Sequence, residues 1–380
     1  MKILFLGDYS NLHACLAKEL RRRGHKADVL SDRGVYLNTQ ADFHLERTPG
    51  IIGGAKYLYK LFSILPQLKG YDAVQLINPH FLSLRPGKIK YFFDRISSAN
   101  GGMYLSLAGS DHTFVKACAD AELFRFSEFK VGDKPTQFLE EESEKMYGWL
   151  TDGLRRWNDY VAEHVKGAMS VLPEYDMAWR PVLGERVTFT NIPIEIESIP
   201  YSPLEIEGPL RIFIGMRGGM EIQKGTARML AVAKELEREM PDKVHVERVR
   251  NLPLSEYLSR MRGSHLVLDQ FYAYAPATNA LQAMAMGRVA GSGAEPEYYD
   301  YINSTPGLPL TKTSSGIIYS PDMRPVFQLS PLMPDLKGRL RELLLDPTPL
   351  YAMSREGRAL VEMHNDVRLV ADRFLSVWEK

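Results

Sequence analysis

The chain has 380 residues, and its 47 Lys and Arg balance its 47 Asp and Glu, so no global field draws it toward nucleic acid. Two cysteines, Cys15 and Cys118, support neither a disulfide framework nor a cysteine metal cluster, while the length suffices for two domains of ordinary size. No run approaches the roughly 20 apolar residues of a membrane span. The opening stretch Met1 to Gly7 turns polar at Asp8, which is too short for the core of a signal peptide, so a cytoplasmic protein is expected.

Residues 2–6, Lys-Ile-Leu-Phe-Leu, read as a buried strand. Gly7 to Asn11 form a turn with Ser10 or Asn11 as the helix cap. Leu12, Cys15, Leu16 and Leu20 then mark a helical stripe over 12–23, closed by Gly24, and 27–30 form a second strand. This strand-turn-helix-strand order predicts a parallel doubly wound sheet. Gly7 stands alone without the rest of a Gly-x-Gly-x-x-Gly pattern, so a nicotinamide dinucleotide site is not expected.

Gly50 to Gly54 precede a helix expected over 55–68. Its Lys56, Lys60 and Lys69 suit either a solvated face or contact with anionic lipid headgroups. A strand at 72–77 ends in Asn78-Pro79-His80, at the edge where open α/β sheets bind ligands. A helix follows at 88–96, then a strand at 102–107. It exits through Ala108-Gly-Ser-Asp-His-Thr113, where His112 beside Asp111 suits proton or hydrogen-bond transfer; ordinary loop capping is the alternative. Residues 119–150 read as an insertion with one helix, 135–150, and no assigned role. A helix at 152–165, a strand at 168–172, a loop at 173–186 and a strand at 187–194 lead to a Pro/Gly-punctuated linker at 201–209.

The pattern restarts with a strand at 210–214 and a loop, Gly215-Met-Arg-Gly-Gly-Met-Glu-Ile-Gln-Lys-Gly-Thr226, before a helix at 227–239. Its glycines permit close backbone approach, and Arg217 and Lys224 supply positive charge for phosphates; it is not a Walker loop. A strand at 244–249, its exit at Arg250 and Asn251, and a helix at 254–262 follow. Next come an apolar strand at 264–269, a small-residue loop from Tyr274 to Asn279, and a helix at 280–286 stopped by Gly287. A helix N-terminus at the carboxyl end of a parallel strand offers free N–H groups and partial positive charge to an anion such as a diphosphate. After a strand start at 288–291, Glu295 and Glu297 stand on a further strand exit. A short strand at 316–319 and helices at 335–345, 349–362 and 367–380 complete the chain.

Gly215, Arg217, Lys224-Gly225, Asp269-Gln270 and Leu281-Gln-Ala-Met-Ala-Met-Gly287, in that order, resemble the donor half of family-4-type (group 1) glycosyltransferases. The resemblance implies an α/β chain of GT-B architecture, two Rossmann-like doubly wound parallel-sheet domains facing a central cleft. It implies an N-terminal acceptor-side domain at 1–204, a nucleotide-sugar domain at 205–365, and a final helix at 366–380 packing back on the first. It implies transfer of a sugar from a nucleotide-sugar to an acceptor hydroxyl, with retention, without a metal and without a cofactor.

By the same resemblance, Arg217, Lys224, Gly215, Thr278 and Asn279 hold the donor diphosphate. Gln282, Val249, Arg250 and Asn251 face the base or ribose. Tyr274, Pro276 and Ala277 face the donor sugar, and His112 with Asp111 lies near the reacting carbon. Gly7, Asp8, Tyr9 and His80 line the acceptor side. Expected partners are the nucleotide-sugar, a glycan or lipid-linked acceptor and, peripherally, the inner membrane surface. The family's Glu-x7-Glu pair is replaced by Tyr274 and Gln282. Gln282 can hydrogen-bond a ribose hydroxyl but carries no charge, and Tyr274 cannot act as a carboxylate. A divergent enzyme, an altered donor or lost activity would each fit. The alternatives to transfer are a non-catalytic sugar-nucleotide or glycan-binding protein and a nucleotide-sugar epimerase.

Overall fold

The computed structural model describes residues 1–32, 41–120, 122–305 and 313–380. The chain divides into two units, one of Met1–Ala117, Glu144–Pro193 and Val367–Lys380, the other of Cys118–Ser143 and Ile194–Asp366.

The first unit starts with β1 (Lys2–Leu6), α1 (Leu12–Arg22), β2 (Lys26–Ser31), β3 (Phe43–His44), α2 (Gly50–Ile64), β4 (Ala73–Leu76), α3 (Pro86–Ser97), β5 (Met103–Leu107) and α4 (His112–Asp120). The chain then enters the second unit with a hairpin, β6 (Lys130–Val131) and β7 (Lys134–Pro135). It returns through α5 (Gln137–Trp149), whose helical geometry breaks at Glu142, next to the changeover. α6 (Asp152–His164), β8 (Gly167–Ser170), α7 (Pro173–Leu183) and β9 (Val187–Phe189) complete a parallel sheet of order β3-β2-β1-β4-β5-β8-β9. β1 is an unbroken apolar run because a parallel sheet is covered on both faces: Ile3, Leu4, Phe5 and Leu6 are all buried. Each such side chain contributes about 1.5–3 kcal/mol of burial free energy.

The second unit holds β10 (Leu210–Met216), α8 (Thr226–Glu239), β11 (Val244–Arg250), α9 (Leu254–Arg262), β12 (Leu266–Leu268), α10 (Thr278–Ala285), β13 (Val289–Ser292), α11 (Pro296–Ser304), β14 (Phe327–Gln328), α12 (Leu336–Leu345) and α13 (Thr348–His364). Its sheet runs β11-β10-β12-β13-β14, all parallel. Alternation along β10 sends Ile212 and Ile214 into one core layer with Met229, Leu236 and Leu340. Phe213 goes into the opposite layer with Val267, Ala283 and Met286.

The last helix, α14 (Val367–Trp378), belongs to the first unit. Trp378 donates its indole N–H to Gln75 Oε1 (3.0 Å), and Arg23 donates to the carbonyl of Arg368 (2.7 Å).

Several elements differ from the sequence reading. The expected loop at 173–186 is largely helix α7. Pro173 occupies the first helical position, where no N–H is needed, Glu174 and Asp176 face the positive end, and Trp179 anchors the helix in the core. Pro181 falls late in α7 and does not stop it. The loop expected around Thr113 is the start of α4. α2 begins at Gly50 and not at residue 55. Residues 316–319 carry a bend and a single bridge residue, and the fifth strand is β14. The insertion at 119–150, whose residue 121 lies outside the described residues, contributes Cys118–Ser143 to the second unit. No helix among the described residues is long and apolar enough to cross a membrane.

Candidate functional site

In the second unit the chain goes from β10 outward to β11 and then returns to β12 on the other side of β10. The carboxyl ends of β10 and β12 therefore form a topological switch point, where open α/β sheets take ligands. Four side chains from four elements meet there. Asp269, buried directly after β12, accepts a hydrogen bond at Oδ1 from Asn279 Nδ2 (3.0 Å), and Lys224 Nζ lies 4.0 Å from the same oxygen. Tyr257, on α9, donates its hydroxyl to Asn279 Oδ1 (2.8 Å). Burial, and then the charge of Asp269, pushes the Tyr257 hydroxyl well above its usual range, which keeps it a donor. Asp269 Oδ2 is buried and has no hydrogen-bond partner among the described residues.

Glycines make this packing possible. A Cβ on Gly215 would stand 2.1 Å from the Tyr257 hydroxyl oxygen. Gly225 has φ +71° and a Cβ there would stand 2.6 Å from Phe271 Cβ. The Phe271 N–H donates to the Lys224 carbonyl (2.9 Å), so the lysine's backbone is pinned to the loop after β12.

Helix α10 begins at Thr278. Its cap residue, Ala277, has no side chain that can accept a hydrogen bond, so the first-turn N–H groups of Thr278, Asn279 and Ala280 lack a side-chain cap. Such a terminus attracts anions. Asn279 cannot cap it, because both ends of its amide are held by Tyr257 and Asp269.

The structure thus joins Lys224, Gly215, Thr278 and Asn279. Arg217 belongs to the same loop after β10; its side chain is exposed and makes no hydrogen bond or ion pair among the described residues. Gln282, one turn into α10, is half-buried, and its amide likewise makes no hydrogen bond among the described residues. Arg250 pairs with Glu221 (2.8 Å), and Asn251, at φ +52°, accepts from the Gly218 N–H (3.4 Å). These contacts hold the β11 exit against the glycine loop. Val249 instead buries its side chain in the core with Phe213 and Met261, which leaves only its backbone to face a ligand. Pro276 is buried, and Ala277 is the cap of α10.

Tyr274 has a role that the sequence reading did not foresee. Its hydroxyl accepts the backbone N–H groups of Arg125 (2.7 Å) and Phe126 (3.3 Å), and its ring stacks on Phe126 at 4.6 Å. The Arg125 guanidinium meets Glu295 and Glu297, each at 2.9 Å, and Gln328 donates to Glu295 Oε1 (3.0 Å). Tyr274 thereby docks the segment inserted from the middle of the chain onto its own unit.

In the first unit, Asp111 is buried and committed. Its Oδ1 accepts from the Phe114 N–H and Asn158 Nδ2, both at 3.0 Å, and its Oδ2 accepts from Trp179 Nε1 (3.1 Å). It is the N-cap of α4 and an anchor for two helices, and burial pushes its carboxyl up to about 6. Asp111, expected beside a reacting carbon, has both carboxyl oxygens taken by protein donors, and His112 follows it as the first residue of α4. His112 Nδ1 donates to the Trp149 carbonyl (3.0 Å), which makes Nε2 the ring's acceptor. His80 packs edge-on against the Trp149 ring at 5.3 Å, so Trp149 links the two histidines.

Asp8 is buried after β1. Its Oδ1 accepts the His13 N–H (3.0 Å), its Oδ2 has no hydrogen-bond partner among the described residues, and burial pushes it up to about 6. Tyr9 packs where a Cβ on Gly109 would stand, 2.8 Å from its ring. Gly7, at φ +78°, presses on Ile77. His13, read from the sequence only as part of a helix, is fully buried between the Gly7 carbonyl (2.7 Å) and Ser106 Oγ (3.0 Å), and burial lowers it to about 3. Among the described residues no cluster of three or more His, Cys, Asp or Glu is placed to hold a metal ion.

No protein-family model matches the sequence, and no curated protein matches it. Solved structures do. Anabaena Alr3699/HepE in complex with UDP-glucose is 13% identical with a TM-score of 0.59, covering 100% of this chain and 99% of that one. A sucrose-phosphate synthase from Thermosynechococcus elongatus is 13% identical with a TM-score of 0.55, covering 100% and 98%. The UDP-GlcNAc 2-epimerase from Neisseria meningitidis bound to UDP-GlcNAc is 12% identical with a TM-score of 0.51, covering 99% and 100%. Identities this low speak to fold alone, and on that count the chain has the GT-B fold, an α/β architecture of two parallel sheets.

Proposed function

We propose that the protein is a glycosyltransferase that moves a sugar from a nucleotide-sugar to an acceptor hydroxyl in glycan or cell-envelope polysaccharide synthesis, with retention and without a metal. One observation carries this reading. At the switch point of the second sheet, Lys224 stands beside the uncapped start of α10, in a frame locked by Asp269, Asn279 and Tyr257. A cation next to unpaired backbone N–H groups stabilises a diphosphate, and most strongly as negative charge builds on it during departure from the sugar. Arg217, with its guanidinium uncommitted, adds a second positive charge from the same loop. Gln282 offers its amide to the ribose, Arg250 and Asn251 border the base, and Pro276 and Ala277 lie along the sugar. His112 presents Nε2 as a hydrogen-bond acceptor. Gly7, Asp8, Tyr9 and His80 form the acceptor side, and the acceptor is a glycan or lipid-linked hydroxyl. Two of the similar structures hold UDP-glucose and UDP-GlcNAc, ligands of the class proposed here.

The test is turnover. The protein, mixed with UDP-, GDP- and ADP-hexoses and a panel of oligosaccharide and lipid-linked acceptors, releases nucleoside diphosphate only when an acceptor is present. Sugar isomerisation without an acceptor would point to an epimerase, and tight binding of a donor with no release would point to a binding protein.

A further inference from the structure

The loop from Tyr274 to Asn279 carries no Asp or Glu, so the proposed donor site has no anionic acceptor for sugar hydroxyls on that loop, and a segment distant in sequence brings one in. We infer that Glu128, carried by the inserted segment, is the sugar-binding carboxylate of this site. The inference rests on the glycosyltransferase reading above and names the residue that tells a nucleotide-sugar from the bare nucleotide.

The segment is held by three independent contacts. Its backbone N–H groups at Arg125 and Phe126 are gripped by the Tyr274 hydroxyl. Arg125 is clamped by Glu295 and Glu297. Ser127 Oγ donates to the Cys118 carbonyl (2.9 Å) and accepts the Phe129 N–H (3.1 Å), which shapes the turn around Glu128. Two residues beyond the Tyr274 grip, Glu128 Oε1 accepts a hydrogen bond from Gln223 Nε2 (2.9 Å). Gln223 directly precedes Lys224, and the Lys224 charge acts on the Glu128 carboxyl. Burial nonetheless pushes that carboxyl above its usual range.

The placement has a chemical consequence. In the reading above Lys224 belongs to the diphosphate end of the site, and under this inference the neighbouring carboxylate lies one group further along the donor, beside the hexose hydroxyls. Hydroxyl groups are donors, and a half-buried carboxylate is their strongest acceptor. Tyr274 then has a reason to be an aromatic and not an acid: it holds the strand of chain that delivers the acid. Sequence spacing could not reveal this, because Glu128 and Lys224 are brought together only by folding.

The test compares two ligands in one protein. Calorimetry with UDP and UDP-glucose, and likewise GDP and GDP-mannose, identifies the pair that binds wild-type protein. Glu128→Gln retains an oxygen for the Gln223 contact and removes the charge. It is expected to weaken the nucleotide-sugar by about tenfold or more while changing the matching diphosphate by less than about twofold. Arg125→Ala, which keeps the Glu128 side chain but loosens the segment that places it, is expected to weaken the nucleotide-sugar in the same selective way. Thermal unfolding checks that both variants remain folded. Equal loss for both ligands, or no loss for either, overturns the inference while the glycosyltransferase reading stands. If no diphosphate and no nucleotide-sugar binds wild-type protein, the underlying reading fails, and this inference with it.

Discussion

The two sheets present carboxyl-terminal edges of the same kind, yet they use their charged residues in opposite ways. In the first unit, Asp111 and His13 turn inward and spend their hydrogen-bonding capacity on Phe114, Asn158, Trp179, Gly7 and Ser106. In the second, Lys224 stands 4.0 Å from Asp269 at the start of α10, which has no side-chain cap, and Arg217 has no partner among the described residues. At the first edge Asp111 and His13 are buried and satisfied by protein partners. The second edge, with its lysine and uncapped helix start, is the one we propose for an anion. A polar residue on a ligand-binding edge is thus no guide to function until its partners are known.

The sharpest way to break this contrast is at Asp111. Asp111→Ala strands the Trp179 N–H and the α4 backbone N–H groups in the core and is expected to cost about 3 kcal/mol of stability. Urea denaturation measures it. A variant of unchanged stability would show that the first edge is not structural.

In the second unit, Gly215→Ala drives a methyl group into the Tyr257 hydroxyl, which must leave Asn279. The expected cost is about 2 kcal/mol, with a several-fold loss of affinity for nucleoside diphosphate. Loss of stability alone would mean that the Tyr257–Asn279 tie does not serve the anion site.

A smaller effect concerns pH. Asp8 is raised in the folded state to about 6, above its unfolded value of 3.8, so the folded protein binds a proton more readily than the unfolded chain does. Its contribution to stability is present in full below pH 3.8 and is lost as the pH rises through 6. At neutral pH the lost contribution amounts to about 2–3 kcal/mol at most. Asp8→Asn should flatten this part of the stability profile, read from chemical denaturation between pH 4 and 7. His13 acts in the opposite sense over part of the same range: lowered to about 3, it favours the fold above pH 6.5 and loses that contribution as the pH falls. The wild-type profile is therefore shallow, and only its difference from Asp8→Asn isolates the aspartate. An unchanged difference across the range would place Asp8 in water.

Much of the architecture was legible in the sequence because parallel strands with covered faces are unbroken apolar runs. The strand at 2–6 and the helix at 254–262 have the boundaries their residues suggest. Helix α7 was not legible, since Pro173 and Pro181 look like breakers until one is seen at the first helical position and the other late in the helix. In the site, Lys224 and Asn279 stood out through charge and loop chemistry. Asp269 stood out only as part of a motif, without a role, and Tyr257 and Glu128 did not stand out: they act through Asn279 and Gln223, and periodicity carries no information about such contacts. Arg125 was equally hidden, for its charge is answered by Glu295 and Glu297, some 170 residues later.

The central claim is that the anion site lies at the start of α10 with Lys224 and Arg217. Calorimetric titration of UDP, GDP and ADP into wild-type protein, Lys224→Ala and Arg217→Ala tests it most directly. The account predicts that at least one diphosphate binds wild-type protein and that each substitution weakens it by about tenfold or more. Affinity that is unchanged in both variants would contradict it.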